Sequence, residues 1–411
     1  MPTSRMLFTW TRSIKPAVST IKTQSINIFQ RLKNLLTLSL QSIRHRPLHA
    51  LPLLLLLLGC AFLYHLFVPQ VHPRLPGRTR SSFLIDESLF LPPPPPPTRP
   101  GYLPEPIPPK KTGMVVPDAL HYVYGFKPVK EGEKADALPY YAYLAIRSAI
   151  LHLKPAKIYF HYQHLPTGPW WDVLAPRLTL IKTVVPESYL GRQISHFAHQ
   201  ADVLRLLAMK HSGGIYLDID MFVIKPFDDL LYFPTTLGME ASPDSRRTQL
   251  EPEGLCNAVI ISAPHSPFID RWLASYESFD EAVWAHHSVV VPWVGVLPKR
   301  KRRNDIELTP SQSQEIARSH PDEVQVLSSR AFFWPMWHGE EIQYTHENDD
   351  YDFVSTGQYA YHAWESLAMR YLADLSPRSI RDEDSSFHRL VRPFLGPDDD
   401  EIWREWKGEG R

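Results

Sequence analysis

Two carboxylates, Asp218 and Asp220, stand two residues apart in the stretch His211-Ser212-Gly213-Gly214-Ile215-Tyr216-Leu217-Asp218-Ile219-Asp220-Met221-Phe222-Val223-Ile224-Lys225-Pro226. Acids set in so apolar a run need partners, and if a strand continues through them both side chains lie on one face. Two close carboxylates repel. A divalent cation relieves that repulsion while offering its open positions to a phosphate, so the pair predicts a metal-bound diphosphate. Asp-x-Asp triplets are common in surface loops; the Gly-Gly turn before this one and the apolar residues around it set it apart.

The elements that must hold these acids can be read from the flanking sequence. Gly213 and Gly214 suit the left-handed conformation that closes a helix, and the periodicity before them predicts that helix over His196 to His211. The run after them suits a strand buried on both faces. Upstream, a strand including His121 to Gly125, a helix over Tyr140 to Leu153, and strands over Lys157 to Tyr162 and Leu178 to Val184 complete the pattern. This order argues an α/β domain with a largely parallel sheet. In the helix, Asp202 and Arg205 share a face, and on spacing alone they are equally well a surface ion pair.

Charge is segregated along the 411 residues. Lys+Arg and Asp+Glu number 44 each, but eleven of the basic residues and none of the acids precede Ile85, which leaves the remainder acidic by about eleven. So acidic a body is a poor candidate for gripping nucleic-acid phosphates. The basic residues 1–50 lead into the apolar run Leu51 to Val68, which as a helix spans roughly 27 Å, enough for one membrane crossing. The excess of Lys and Arg before it predicts a cytoplasmic tail at 1–50, a transmembrane helix at 51–68, and the body across the membrane. An acid-free basic N-terminus also fits a mitochondrial transit peptide, the weaker alternative. Residues 69–114 are Pro-rich, with Pro92 to Pro97 consecutive, and predict an extended stem. The two cysteines, Cys60 and Cys256, make no intrachain disulfide framework.

Several pieces in order resemble glycosyltransferase family 32: Val116-Pro117-Asp118-Ala119-Leu120-His121-Tyr122; Ala201 and Asp202 through Arg205, Gly213-Gly214-Ile215-Tyr216, Asp218, Asp220 and Pro226; Asn257-Ala258-Val259-Ile260; and Ala360-Tyr361-His362-Ala363-Trp364-Glu365-Ser366. The resemblance implies a single catalytic domain of the Rossmann-like GT-A fold at 115–395, followed by a C-terminal tail at 396–411. It implies a membrane-anchored hexosyltransferase that takes a nucleotide-diphosphate sugar as donor and a glycan or glycolipid as acceptor, with retention of configuration. By position, Asp218, Asp220 and His362 would be the metal site, and Asp202 and Arg205 would join Asp218 and Asp220 in catalysis at the donor sugar. Asn257 would hydrogen-bond that sugar, Asp218 would face the ribose, and His121 with Tyr122 would border the nucleotide. Imidazole beside carboxylates favours Mn²⁺ over Mg²⁺. The implied compartment is the Golgi, with the endoplasmic reticulum as alternative. The chain departs from the family at Tyr124, where Trp is usual, and near Val291-Pro292-Trp293-Val294-Gly295, where Thr-Gly-Pro is expected; that region bears on the acceptor.

Two other readings compete. A phosphatase of the haloacid dehalogenase type also sets Asp-x-Asp after an apolar strand, but wants Thr or Val where Phe222 stands. An inactive, membrane-tethered binding protein on the same fold is opposed by the intact Asp218, Asp220 and His362. The basic run at Lys299 to Arg303 reads as a solvated loop or processing site rather than a nuclear address, and Glu347 to Asp352 lacks the Gly and terminal Glu of a calcium loop.

Overall fold

The structure, a computed structural model, describes residues 101–240, 254–294, 317, 320–337 and 339–408. The basic segment, the apolar run Leu51 to Val68 and the consecutive prolines lie outside the described residues. Among the described residues no helix is long and apolar enough to cross a membrane.

The main elements are β1 (Ala119–Tyr124), α1 (Tyr140–Leu153), β2 (Lys157–Tyr162), β3 (Thr179–Lys182), α2 (Phe197–Ser212), β4 (Gly214–Leu217), β5 (Met221–Val223), β6 (Thr235–Glu240), β7 (Gly254–Ser262), α3 (Pro267–Ala274), β8 (Gln325–Leu327), β9 (Ala360–His362), α4 (Glu365–Leu372) and α5 (Asp399–Lys407). Seven strands form one sheet in the order β8-β6-β7-β4-β1-β2-β3. The β-α-β units place β4, β1, β2 and β3 parallel, as helical crossovers require. The sheet is largely parallel, as expected, since β6 and β8 also run in the sense of these four strands. β7 runs antiparallel to both β4 and β6, so the sheet is mixed.

The pleat sends alternate residues into two cores. In β4, Ile215 and Leu217 join one cluster, which includes Leu144 and Ile146 of α1, while Tyr216 joins the other, with Val203 and Leu206 of α2 and Trp272 of α3. Each fully buried Leu or Ile stabilises by about 1.5–3 kcal/mol relative to exposure.

The folded unit extends past both expected boundaries of 115–395. On the N-terminal side, Ser212 Oγ donates to Pro104 O at 2.5 Å and Lys110 Nζ to Leu153 O at 2.9 Å, so these residues of the expected stem are docked. On the other side, the expected tail contains α5, whose Asp399 is buried and accepts hydrogen bonds from Tyr140 (2.7 Å) and Tyr143 (3.0 Å) of α1. Charge composition marks both segments as polar. A few specific bonds and the Trp403 ring, 5.6 Å from Tyr140, nonetheless anchor them.

Candidate active site

The site forms where α2, β4, β7 and β9 meet. α2 begins after His196, whose Nδ1 accepts the Ala198 N–H, and ends at Gly213. Gly213 has φ 61°, and a Cβ there would lie 2.6 Å from Pro264 N; Gly214 has φ 110°, and its Cβ would meet Ala119 O at 2.7 Å. Both positions exclude a side chain on conformational and steric grounds. The sharp reversal they allow delivers β4 beside β1.

The strand does not continue through both acids. β4 ends at Leu217; Asp218 still donates its N–H to Ala258 O at 2.9 Å, but its own carbonyl accepts the Met221 N–H at 3.1 Å, closing a turn. Convergence of the carboxylates comes from this turn and not from strand alternation. After it, β5 leaves the main sheet and pairs antiparallel with β9, with His362 opposite Met221. The register thereby carries His362 to the residue next to Asp220.

Asp218, Asp220 and His362 offer one ligand atom each, all within 4.8 Å of one another. His362 Nε2 lies 3.3 Å from Asp220 Oδ1, and Asp220 Oδ2 accepts the Glu365 N–H at 2.8 Å. Asp220 and His362 are buried, whereas Asp218 is partly open, its side chain 25% exposed. Burial alone would raise the Asp220 pKa, but the His362 charge and the hydrogen bonds from His362 and Glu365 outweigh it and hold Asp220 below its ordinary value. Burial would lower His362, yet Asp220 and Asp218 raise it above the ordinary imidazole value. Asp218 is raised, first by burial and then by Asp220, against the opposing Arg205. Glu365 is likewise raised by burial, and the Tyr141 hydroxyl beside it works in the other direction.

Asp202 and Arg205 are not a surface pair. Both are buried, as is Asn257 on β7. Arg205 Nη1 donates to Asp218 Oδ1 (2.8 Å), to Asn257 O (3.1 Å) and to Asn257 Oδ1 (3.2 Å), and Nη2 lies 3.3 Å from Asp202 Oδ1. Asn257 Nδ2 donates to the same Asp202 oxygen at 2.7 Å. The guanidinium lies over the Tyr216 ring at 4.7 Å, and the Tyr216 hydroxyl donates to Asp218 at 2.5 Å. A planar, always-charged fork suits this position as a point charge would not.

Six predicted residues therefore come together: Asp202, Arg205, Asp218, Asp220, Asn257 and His362. His121 and Tyr122 do not join them. Tyr122 is sealed in the core cluster of α1, and His121 is fully buried with its Nδ1 3.0 Å from His161 Nε2, so neither side chain presents a surface to a nucleotide in this structure. Sequence reasoning missed Glu365, Tyr216 and Tyr141. Glu365 had a signal, as an acid three residues after His362; the two tyrosines read as ordinary apolar positions of a strand and a helix.

The donor set fits a divalent cation. Two carboxylates and an imidazole whose other nitrogen, Nδ1, has no hydrogen-bond partner among the described residues converge on one point. Beside them, Asp202 pairs with Arg205, and the partly buried Glu365 adds further negative charge near Asp220 and Asp218. Mixed oxygen and nitrogen ligands suit Mn²⁺ and admit Mg²⁺.

Comparison with known proteins agrees with this chemistry. The family profile described as glycosyltransferase sugar-binding region containing DXD motif matches residues 174–237. The chain is 64% identical over 366 residues to glucan organizing enzyme 1 of Cryptococcus neoformans var. grubii, covering 89% of this chain and 94% of that one. It is 31% identical over 98 residues to inositol phosphoceramide mannosyltransferase 2 of Schizosaccharomyces pombe, a match spanning 24% of this chain and 26% of the relative. Among solved structures, the galactosyltransferase LgtC with donor and acceptor sugar analogues aligns over 71% of this chain and 99% of its own, at 14% identity and a TM-score of 0.33. On the full-length relative and the matched DXD region, the chain belongs to the glycosyltransferases of family 32.

Proposed function

We propose that this protein is a metal-dependent hexosyltransferase of the GT-A fold. It moves a sugar from a nucleotide diphosphate to a hydroxyl of a glycan or glycolipid, with retention. The observation that carries this reading is the convergence of Asp218, Asp220 and His362 beside the buried Asp202–Arg205–Asn257 network. Asp218, Asp220 and His362 would hold Mn²⁺ or Mg²⁺, which when bound neutralises charge on the diphosphate leaving group. Arg205 fixes the Asp218 carboxylate by charge-assisted hydrogen bonds. Asp202 and Asn257 hold the hydroxyls of the donor sugar. The bond from the anomeric carbon to the diphosphate oxygen breaks, the acceptor oxygen bonds to that carbon from the same face, and its proton passes to the departing diphosphate oxygen. No enzymic nucleophile enters this path.

The name of the full-length relative supports a glycan of the glucan class as acceptor, and the shorter match to a mannosyltransferase supports mannose as one donor to test. We further propose that Leu51 to Val68 anchors the protein in the Golgi membrane with residues 1–50 in the cytosol, a reading supported by the basic residues before the run. The deciding assay is Mn²⁺-dependent hydrolysis of GDP-mannose, UDP-galactose and UDP-N-acetylglucosamine by the full chain, beside Asp220→Asn. Hydrolysis of one donor that the substitution abolishes supports the transferase; silence across the panel, with no metal-dependent thermal shift from any nucleotide, supports an inactive binding protein instead.

A further inference from the structure

Two exposed aromatic side chains, Phe197 and Trp284, both meet the His196 ring. Trp284, on the turn after Glu281, is 59% exposed, and Phe197 at the start of α2 is 40% exposed. Trp284 is nonetheless held. His196 meets it edge-on, with ring centroids 4.8 Å apart and planes at 80°, and His199 packs at 4.9 Å. The turn that carries it is tied to α2 by the Glu281 carboxylate, which accepts the N–H groups of Ser195 (3.0 Å) and His196 (2.5 Å). An indole left in water at this exposure forfeits much of the burial such a ring can gain, and fixing its rotamer adds an entropic cost. A ring both wet and fixed is pre-organised for a ligand.

His199 joins this ring to the donor network. Its Nδ1 lies 3.5 Å from Asp202 Oδ2, and its Nε2 is buried without a hydrogen-bond partner among the described residues. A buried, unsatisfied ring nitrogen costs free energy that a sugar hydroxyl or a bridging water recovers. One side chain thus separates the indole from a residue assigned to the donor sugar.

We infer that Trp284 is the platform on which a pyranose ring of a glycan acceptor stacks, with His196 and His199 setting the angle of the indole. The inference rests on the transferase reading above and names the acceptor class for that site. Carbohydrate fits better than a bilayer surface, because the turn carries Asp280 and Glu281, and an anionic membrane selects a basic border. The C–H face of a pyranose is apolar and matches the indole, while its equatorial hydroxyls point outward toward such polar neighbours.

The test uses the full-length chain and three soluble probes, glucohexaose, mannohexaose and galactohexaose, titrated calorimetrically. At least one binds the wild type, and Trp284→Ala weakens it about tenfold or more, with Trp284→Phe restoring part of the loss. Val354→Ala, on an exposed turn, is the control and binds as the wild type does. Trp284→Ala unfolds within about 2 °C of the wild type, as an exposed position should, and in transfer assays it raises the acceptor KM far more than it lowers kcat. Failure of the wild type to bind any hexaose, or equal binding by Trp284→Ala, overturns the inference. So does loss of binding to phosphatidylinositol and ceramide vesicles with hexaose binding intact, which would make the ring a membrane contact. Calorimetry needs no turnover: hexaose binding through Trp284 without hydrolysis of any donor overturns the transferase reading alone, and donor hydrolysis with Trp284 immaterial to binding overturns only the platform.

Discussion

The backbone N–H of Glu365 donates to Asp220 Oδ2 at 2.8 Å, so the first residue of α4 fixes the acidic turn that follows β4. The other Asp220 oxygen faces His362. Both oxygens of Asp220 are therefore placed before any ligand arrives, and the carboxylate cannot swing away to relieve its repulsion from Asp218.

Replacing Asp220 with Asn keeps the size and one oxygen but removes the charge and turns an amide toward either His362 or the Glu365 N–H. Donor turnover at saturating Mn²⁺ should fall more than about a hundredfold, beyond what loss of an outer supporting group usually costs. Steady-state hydrolysis measured against a Mn²⁺ titration checks this; wild-type turnover in the variant would remove Asp220 from the metal site.

The His362–Asp220 pair fixes the sign of a pH effect. His362 stands above its ordinary value of 6.5, because Asp220 and Asp218 outweigh the effect of burial; the native state holds that proton more tightly than the unfolded chain. Its contribution is fully present below about pH 6.5 and is lost as pH rises through the folded pKa. Asp220, held below its ordinary 3.8, contributes above that value and loses its share as pH falls through its own folded pKa. In chelator, the excess stability of wild type over His362→Gln is thus largest between about pH 4 and 6.5 and declines above. Mn²⁺ needs the neutral imidazole, so the thermal shift it causes should grow from pH 5.5 to pH 8. Thermal unfolding with and without the ion reads both, and a shift larger at pH 5.5 would contradict the ligand role of His362.

Arg205 is buried among Asp202, Asp218 and Asn257, and its removal strands the buried Asp202 carboxylate and takes the ion-pair partner from the partly open Asp218. Arg205→Ala should lose about 3–5 kcal/mol of stability, the usual cost of breaking a buried pair from one side. Arg205→Lys keeps the charge but cannot reach all three partners in one plane, and should lose activity more than stability. Urea denaturation and turnover of the two variants separate these effects. An Arg205→Ala variant as stable as the wild type would show that the network carries little of the fold.

The parts legible in the sequence were those whose signal is local. The α1 and β2 spans match the expected ones, and Gly213 and Gly214 adopt the positive φ that the turn demanded. Spacing identifies Asp218 and Asp220, but they converge through the turn closed by the Met221 N–H on Asp218 O, which no periodicity encodes. His362 lies far downstream of the acids and reaches them only through the β5–β9 register; without the family resemblance it was one histidine among aromatics. Burial of Asp202 and Arg205 was equally hidden, since an i, i+3 pair reads the same on a wet or a dry helix face. Docking of α5 rests on the buried Asp399 carboxylate and the Trp403 ring in a segment that otherwise reads as a charged tail.

That carboxylate, Asp399, makes the last prediction. It accepts from the hydroxyls of Tyr140 and Tyr143 and from the Gly396 N–H (2.8 Å), joining α5 to the start of α1. In Asp399→Ala the two phenols, both on buried residues, lose their acceptor, at about 1–3 kcal/mol for each unsatisfied group, and the Trp403 ring loses the anchor that seats it on Tyr140. Burial raises the Asp399 pKa, against the bonds from Tyr140, Gly396 and Tyr143. The native state therefore binds this proton more tightly than the unfolded chain, and the stability it contributes is greatest below the ordinary carboxylate value of 3.8 and declines as pH rises through the folded pKa. Urea denaturation across that range should show this downward slope in the wild type relative to Asp399→Ala, together with a lower absolute stability of the variant at every pH. Equal stability at neutral pH would mean that α5 is held by Trp403 and its aromatic neighbours alone.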